Sequence, residues 1–442
     1  MAHHLVRAGR ESEAVPLLRD AANWAAEVGA YRDGLAWAEL ALEHADAEAR
    51  SDLLALRADL CLGAGDPRAA SAYRIAIDCA PAEQAPALRV RQARAQLAGG
   101  DVDGAAEALA TAQPRTHRDR ASLLVWRGIV AWHRGDLDDA RRCAAEAETL
   151  GSEAVRVTEL RALLAHADGR FDHHAQLELS ESWRDPELAG RVFDAYLCVT
   201  ERVLGSGEPV EQLALFAKRL RVEARQAGAL RGESFAATVL GEAELLTGNV
   251  AVARDLLVEG ARLSREAGSA GAEALARLRL GEALLHLGDR AAASVQLDEA
   301  LELAHVPTLA RHLLFLVYGV LVQIPDDPAE TLGVVDRAEQ LFDPRWLCRT
   351  CPLDFWLGAA TAAARAGDHE RADGYVTRVR NGAGAWQRGP VRAVLAEAEG
   401  ELLLARGVGA EGRARLALAV DGYAAAGHRL REARARATLA SS

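Results

Sequence analysis

The chain has 442 residues, more than one hydrophobic core ordinarily organises, so two or three domains or a repeat array are expected. Half of the residues are apolar, which excludes a disordered chain, and the abundance of Ala, Leu and Arg favours helices. The formal charge of −12, from 64 acidic and 52 basic residues, argues against a general nucleic-acid-binding protein.

The N-terminal sequence MAHHLVRAGRESEAV contains no apolar run of the signal-peptide type. The longest uncharged apolar stretch, roughly residues 313–324, is too short to cross a bilayer. A cytoplasmic location without membrane contact is therefore expected. In that compartment the six scattered cysteines indicate small buried residues rather than a disulfide framework.

Along the chain a glycine, often followed by Asp or Asn, recurs between stretches of helical apolar periodicity. The first intervals are 36, 35, 35 and 34 residues, and the later ones are close to 40. The glycines are Gly29, Gly65, Gly100, Gly135, Gly169, Gly207, Gly248, Gly288, Gly367 and Gly407, and a Pro-Asp-Asp-Pro turn at 325–328 stands between Gly288 and Gly367. This period predicts helical hairpins in which the glycine ends helix A in the left-handed conformation and the Asp or Asn caps helix B.

Small residues recur at two fixed distances from these turns. Seven residues before the turn stand Ala22, Ala58, Ala93, Gly128, Ala162, Gly241, Gly281, Ala360 and Gly400, and five residues after it stand Gly34, Ala70, Ala105, Ala140, Ala253, Ala293 and Ala372. Large side chains at these points would hold the two helices of a hairpin apart. His174 and the surroundings of Gly207 depart from the pattern.

The Gly-Asp turn with small residues at minus seven and plus five resembles the tetratricopeptide repeat (TPR), over essentially the full length. The resemblance implies an all-α, right-handed superhelical α-solenoid of about eleven hairpins. We expect two continuous arrays, residues 1–185 with a period near 35 and residues 186–442 with a period near 40. A change in curvature is predicted near residues 185–208, where the repeat lengthens.

Two segments resemble a narrower set of proteins. The opening HHLVRAGRESEAVPLLRDAANWAAEVGAYRDGLAWAELAL is similar to the start of the repeat region in large bacterial ATP-dependent transcriptional activators of the LuxR and maltose-activator types, which are signal-transduction ATPases with numerous domains. The final AVDGYAAAGHRLREARARATLA resembles the last repeat helix before the DNA-binding module of that family. The resemblance implies a sensor region, with the ATPase and DNA-binding modules elsewhere in the full-length protein.

Neither of those modules is found within these residues. The only lysine, Lys218, lies in Phe-Ala-Lys-Arg, which is no phosphate loop, and nothing after Ala440 could form a helix-turn-helix. We therefore expect this segment neither to hydrolyse ATP nor to bind DNA directly.

The residues that suggest chemistry favour structural roles. Cys348 and Cys351 form a C-x-x-C pair without a second pair of ligands nearby, so a structural role is preferred over a metal site, a redox site or a fortuitous disulfide. The adjacent pairs His3-His4 and His173-His174 point to different sides of a helix and chelate poorly. No catalytic residue, metal site or cofactor is predicted, and the chain is not expected to be an enzyme.

The concave face of the solenoid is the predicted binding site, because repeat arrays expose an extended curved surface there. Positions six residues before the turns give a groove that is mixed in charge in the first array and acidic in the second. The candidate groove residues are Asp59, Arg94, Trp132, Arg156, Glu159, His166, Glu242 and Glu282. Trp132 is the one tryptophan assigned to the groove, while most of the others are expected in the core between repeats. The simpler alternative for the charged positions is solvated surface.

Two functions are consistent with these features. The first is a non-catalytic sensor domain of a bacterial transcriptional regulator, whose groove binds a small-molecule effector, a peptide or a partner protein. The second is a stand-alone TPR scaffold for protein–protein assembly that is unrelated to transcription.

Overall fold

The fold was obtained as a computed structural model, which describes residues 2–28, 30–64, 66–150, 157, 160–161, 163–164, 210–304, 310–342, 351–384 and 389–442. Across these ranges the regular secondary structure is helical, and they contain no strand. The predicted all-α class is confirmed.

The first array consists of short antiparallel helices. Their bounds are α1 Ala2–Arg7, α2 Glu11–Val28, α3 Tyr31–His44, α4 Ala47–Gly63, α5 Ala69–Cys79, α6 Ala85–Ala98, α7 Val102–Ala110, α8 His117–Arg134 and α9 Leu137–Thr149. Each even-numbered helix from α2 to α8 packs against the next helix to form a hairpin, and serves as its helix A.

The second array continues this arrangement. Its helices are α10 Val210–Ala227, α11 Leu230–Leu246, α12 Val250–Glu266, α13 Ala270–His286, α14 Arg290–Ala304, α15 Ala310–Leu321, α16 Pro328–Leu341, α17 Leu353–Arg365, α18 His369–Ala383, α19 Pro390–Ala405, α20 Gly409–Ala425 and α21 Arg429–Ser441. Here the odd-numbered helices from α11 to α19 are the A helices. Each also packs against the next A helix, as α11 does against α13, so the A helices form one continuous layer.

The turns follow the predicted chemistry with one exception. Six turn glycines, Gly100, Gly135, Gly248, Gly288, Gly367 and Gly407, have φ between +77° and +90°. The following aspartates cap helix B, as when Asp136 Oδ1 accepts the backbone N–H of Asp139 at 3.0 Å. Asn249 makes no cap, because its side-chain amide donates to Glu244 Oε2 at 2.7 Å instead. Gly29, Gly65, Gly169 and Gly207 lie outside the described residues.

The predicted small positions are where the helices of a hairpin meet. A Cβ added to Gly128, Gly241, Gly281 or Gly400 would lie 2.4–2.8 Å from a leucine side chain, so only glycine fits the present spacing. The described alanines at both positions are fully buried, except Ala70. That prediction was wrong by one residue: α5 begins at Ala69, four residues after its turn glycine rather than two, and Ala69 is the buried one. Ala162 lies outside the described residues.

The longer period of the second array comes from its outer helices. The B helices α3, α5, α7 and α9 of the first array have 9–14 residues, and α12, α16, α18 and α20 of the second array have 14–17. The A helices with described residues on both sides do not lengthen in the same way, with 14–18 residues in the first array and 13–17 in the second. The predicted boundary at residue 185 and the change in curvature lie outside the described residues and stay predictions.

The hydrophobic core runs along each array between its helix layers. One large cluster extends through the second array from Leu213 to Ala435, and a small separate cluster forms around Leu245, Leu257 and Leu280. Trp126 lies in the core between repeats as predicted, whereas Trp24 is exposed. No helix in the described part of the chain is both long enough and apolar enough to cross a membrane.

The described cysteines differ in accessibility, which gives a simple test of the packing. Burial raises the pKa of the thiols of Cys61 and Cys143 to about 11, while Cys79 is exposed. We expect iodoacetamide at pH 8 to alkylate Cys79 in the native protein and to leave Cys61 and Cys143 unmodified, because only the thiolate reacts. Peptide mass spectrometry measures this, with the urea-unfolded protein as the control in which all three react. Equal native labelling of the three would contradict the packing.

Candidate binding face on the inner helices

Two of the predicted groove residues are brought together by an arginine. Arg279 of α13 donates from Nε to Glu242 Oε1 of α11 and from Nη1 to Glu282 Oε2, both at 2.8 Å. Glu242 is 1% exposed and Arg279 is 7% exposed, so this is a buried ion pair between neighbouring A helices. The structure thus unites Glu242 and Glu282, which the sequence placed on a common face, and adds Arg279 as their shared partner.

The last helix supplies two more arginines to the same layer. Arg431 of α21 donates to Asp354 Oδ2 of α17 at 2.6 Å. Arg434 binds Glu397 of α19 with both Nε and Nη2, each at 2.9 Å, and Tyr423 donates its hydroxyl to Glu397 Oε2 at 2.7 Å. A bidentate arginine–carboxylate contact of this kind fixes orientation as well as charge.

The two sets of contacts lie close together, because α21 also packs against α11, and the pKa values of Asp354 and His286 are consistent with this. Burial acts to raise the pKa of Asp354, but Arg431, Arg434 and Arg279 outweigh it and hold the pKa below its usual range. His286 is accessible to solvent but lies close to packed side chains; partial desolvation of its ring and the two arginines of α21 lower its pKa and together exceed the opposite effect of Glu282. We call the following residues the inner charge cluster: Glu242, Arg279, Glu282, Asp354, Glu397, Arg431 and Arg434.

The inner charge cluster defines the geometry of the second array. Its members come from α11, α13, α17, α19 and α21, which are spread from residue 242 to residue 434. Side chains this distant in sequence meet only if the layer of A helices curves around them. We infer that the A layer is the concave side of the array; Glu242 and Glu282 lie on it, and their role in a binding groove stays a prediction.

The inner layer has a further carboxylate that the sequence analysis did not single out. Glu401 of α19 lies six residues before Gly407 and accepts a hydrogen bond from Arg365 Nη2 at 3.0 Å. Glu242 and Glu282 also lie six residues before their turn glycines. The same spacing counted back from Gly407 would have predicted Glu401 from the sequence.

The first array contains an equivalent of the Glu242–Arg279 pair. Arg91 of α6 donates to Asp59 Oδ2 of α4 at 2.8 Å, and Tyr73 also donates to Asp59. In both arrays the carboxylate lies six residues before one turn glycine and the arginine lies nine residues before the next. The pair in the first array is half-exposed, with 42% and 38% of the side chains accessible. Arg94 is half-buried, and its charge lowers the pKa of Tyr73, against the larger effects of burial and Asp59, which raise it.

The remaining predicted groove residues are not joined to these contacts. Trp132 is buried in the hydrophobic cluster of α6–α9, with its ring edge-on to His133 at a centroid distance of 5.1 Å. Its role in the groove stays a prediction. Arg156, Glu159 and His166 lie outside the described residues.

Sequence reasoning missed five members of the site: Arg279, Asp354, Glu397, Arg431 and Arg434. One signal was present, because Arg431 and Arg434 are three residues apart and therefore share a helix face. Asp354 and Glu397 precede their turn glycines by 13 and 10 residues. The predicted groove positions were those six residues before each turn, so these two carboxylates were not among them.

Histidine and cysteine side chains are the remaining candidates for site chemistry. Within the described ranges no group of three or more His, Cys, Asp and Glu residues could hold a metal ion. Cys351 is buried with its Sγ 3.1 Å from Nδ1 of His312, and Cys348 lies outside the described residues.

Comparison with protein-family models and with curated proteins gave no match. Among solved structures, the crystal structure of the APC/C hetero-tetramer Cut9–Hcn1 is 13% identical with a TM-score of 0.37, and the comparison covers 92% of this chain and 86% of that one. The Rap protein complexed with competence and sporulation factor is 12% identical with a TM-score of 0.32, over 90% and 99% of the two chains. These scores support no inference about function, and the solenoid assignment rests on the helices of this chain.

Proposed function

We propose that this chain is a non-catalytic sensor domain of a bacterial transcriptional regulator, and that its concave face binds a partner protein, a peptide or an effector. Binding would favour one of two states of an attached ATPase. Such coupling requires the ligand to make different contacts in the two states. The regulator part of the proposal is supported by the resemblance of the first and last segments.

The observation that carries the binding part is the inner charge cluster. Hairpin packing in this chain is supplied by leucine, alanine and glycine, so charges on the A helices are not needed to hold the layers together. Removing a carboxylate and a guanidinium from water is costly, and a well-packed apolar pair is often as stable. Charged side chains from five helices that converge on one concave face are therefore best explained by recognition.

Site-specific photo-crosslinking tests the proposal. A benzophenone amino acid replaces either His286, an exposed residue at the end of the A helix α13, or Leu418, an exposed residue on the B helix α20. We expect the variant labelled at position 286 to capture a partner or effector from the extract of the source cells. The matched variant at position 418 is expected to capture nothing above background. Capture at 418 alone would contradict binding on the concave face.

A stand-alone assembly scaffold is the second candidate, favoured by the same concave face if no regulator modules accompany it. The gene sequence on both sides of these 442 codons separates the two. A phosphate-loop module upstream or a helix-turn-helix downstream supports the regulator. Their absence from the full reading frame would rule out the regulator and leave the scaffold.

A further inference from the structure

The last helix, α21, is attached to the second array differently from the helices before it. It packs on α20, and Leu430 at its start contacts the small cluster of Leu245, Leu257 and Leu280 on α11–α13. Between these contacts Arg431 and Arg434 reach α17 and α19. Helix α21 thus lies on the concave face and links the last repeat to the first helices of the array.

Apolar burial contributes little to holding α21 in place. Its only buried residues are Glu432 and Ala435, and Leu430 and Leu439 are partly buried against the core clusters, whereas α19 buries eleven residues, most of them apolar. Glu432 is bound by arginines of α21 itself, at positions 429 and 436. Segments with few buried apolar contacts open at low free-energy cost, so α21 is an element that can detach while the hairpins stay folded.

The surface under α21 is rich in carboxylates and favours a cationic occupant. With α21 in place, Arg279, Arg365, Arg431 and Arg434 face the five carboxylates of the inner layer, which are Glu242, Glu282, Asp354, Glu397 and Glu401. Without α21 only two of those arginines remain. Glu397, which is 3% exposed while α21 is docked, would lose its bidentate guanidinium partner and keep only the hydrogen bond from the Tyr423 hydroxyl.

We propose that the concave face of the second array is a docking groove for an arginine-bearing helix, that α21 is its resident occupant, and that a partner helix of the same chemistry replaces it. The required pattern is the one that α21 shows: two arginines three residues apart, to bind the carboxylates of α17 and α19, and a leucine just before them for the cluster at α11–α13. This inference rests on the proposed function, because it identifies the class of partner that the concave face binds.

Hydrogen exchange on the full chain tests whether α21 is held by its arginines. Replacing both by glutamine (R431Q/R434Q) is expected to speed the exchange of α21 amides at least tenfold and to leave those of α19 unchanged. The matched control is Arg436→Gln on the same helix, which removes an exposed arginine that pairs only within α21. If the double variant does not fold, the single variant Arg431→Gln is expected to speed the exchange of α21 selectively, because it removes one of the two arginine contacts that hold the helix. Unchanged exchange of α21 in these variants would overturn the inference.

Fluorescence anisotropy with a labelled peptide of residues 427–442 tests whether the vacated groove accepts a helix from another molecule. The double variant is expected to bind the peptide at least tenfold more tightly than the unmodified chain, in which α21 competes. A peptide with glutamine in place of both arginines should not bind, and adding Glu397→Gln to the receptor should weaken binding of the native peptide. Equal affinity for the two peptides, or no binding while α21 is released, would overturn the inference.

These outcomes are separate from failure of the proposed function. Capture through position 286 of a protein that lacks an arginine-bearing helix would overturn this inference and leave the binding proposal intact. Capture only through position 418 would overturn the proposed function, even with the peptide results as expected.

Discussion

Replacing Arg279 by leucine is expected to lower the free energy of unfolding of the second array by about 3–5 kcal/mol, because it leaves a buried carboxylate without its partner. Glu242 is 1% exposed, so water cannot take the place of the guanidinium. Glu282 loses a hydrogen bond from the same arginine. Urea denaturation at pH 7, followed by circular dichroism, measures the loss.

The equivalent pair in the first array provides the control. Arg91→Leu removes an arginine in the same register, but its pair with Asp59 is half-exposed, and such pairs contribute about 0–1 kcal/mol. We expect Arg91→Leu to have a correspondingly small effect. The double variant Glu242→Leu/Arg279→Leu should recover much of the stability, because the fully buried carboxylate is removed together with its partner. Similar losses for Arg91→Leu and Arg279→Leu would show that burial of the pair does not set its contribution.

Replacing Gly241 by valine is expected to destabilise the second array by about 2–3 kcal/mol through overpacking. A Cβ at this position would lie 2.5 Å from Cγ of Leu257, and the backbone carbonyl oxygen of Ala253 is also close, at 3.4 Å. The leucine cannot retreat, because it is fully buried between α11 and the helices around it. Helices α11 and α12 must therefore separate, and the thermal midpoint should fall measurably.

Gly374→Val is the matched control for Gly241→Val. Gly374 lies inside α18, and a Cβ there would meet no atom within 4 Å. Valine has a slightly better helix propensity than glycine, so this change should leave stability within about 0.5 kcal/mol of the original or raise it. If the two variants melted at the same temperature, close packing at Gly241 would not be the reason for glycine there.

The turns and the hairpin contacts could be predicted from sequence because their causes are local. A left-handed residue such as Gly135 and the capping aspartate after it are set by the geometry of a few consecutive residues. The small positions also repeat at fixed distances, so Gly241 and Ala253 can be placed without knowing the superhelix. The two departures also have local causes. The side chain of Asn249 donates to Glu244 instead of capping α12, and α5 begins later after its turn than the other B helices, so that Ala69 rather than Ala70 is buried.

The binding face could be predicted only in part, because its contacts depend on curvature. The spacing of six residues before each turn glycine was enough to place Glu242 and Glu282 on the inner layer. It could not show that Arg431 reaches Asp354, 77 residues earlier, since that contact exists only when the array bends enough for α21 to approach α17. The angle between successive hairpins is the sum of many small packing differences, and the sequence pattern does not fix it.

The contact of Leu430 with the leucines of α11–α13 alters how the second array can unfold. In an open solenoid each repeat touches only its neighbours, so stability is a sum of local terms and the last repeat frays first. Here α21 connects the last repeat to the beginning of the array, because Leu430 packs on the cluster that contains Leu245, some 185 residues earlier in the sequence. While α21 is docked, the terminal hairpin cannot fray without breaking a long-range contact, and the array unfolds as a more cooperative unit. If α21 were displaced, the array would unfold repeat by repeat from its end, as an ordinary repeat protein does.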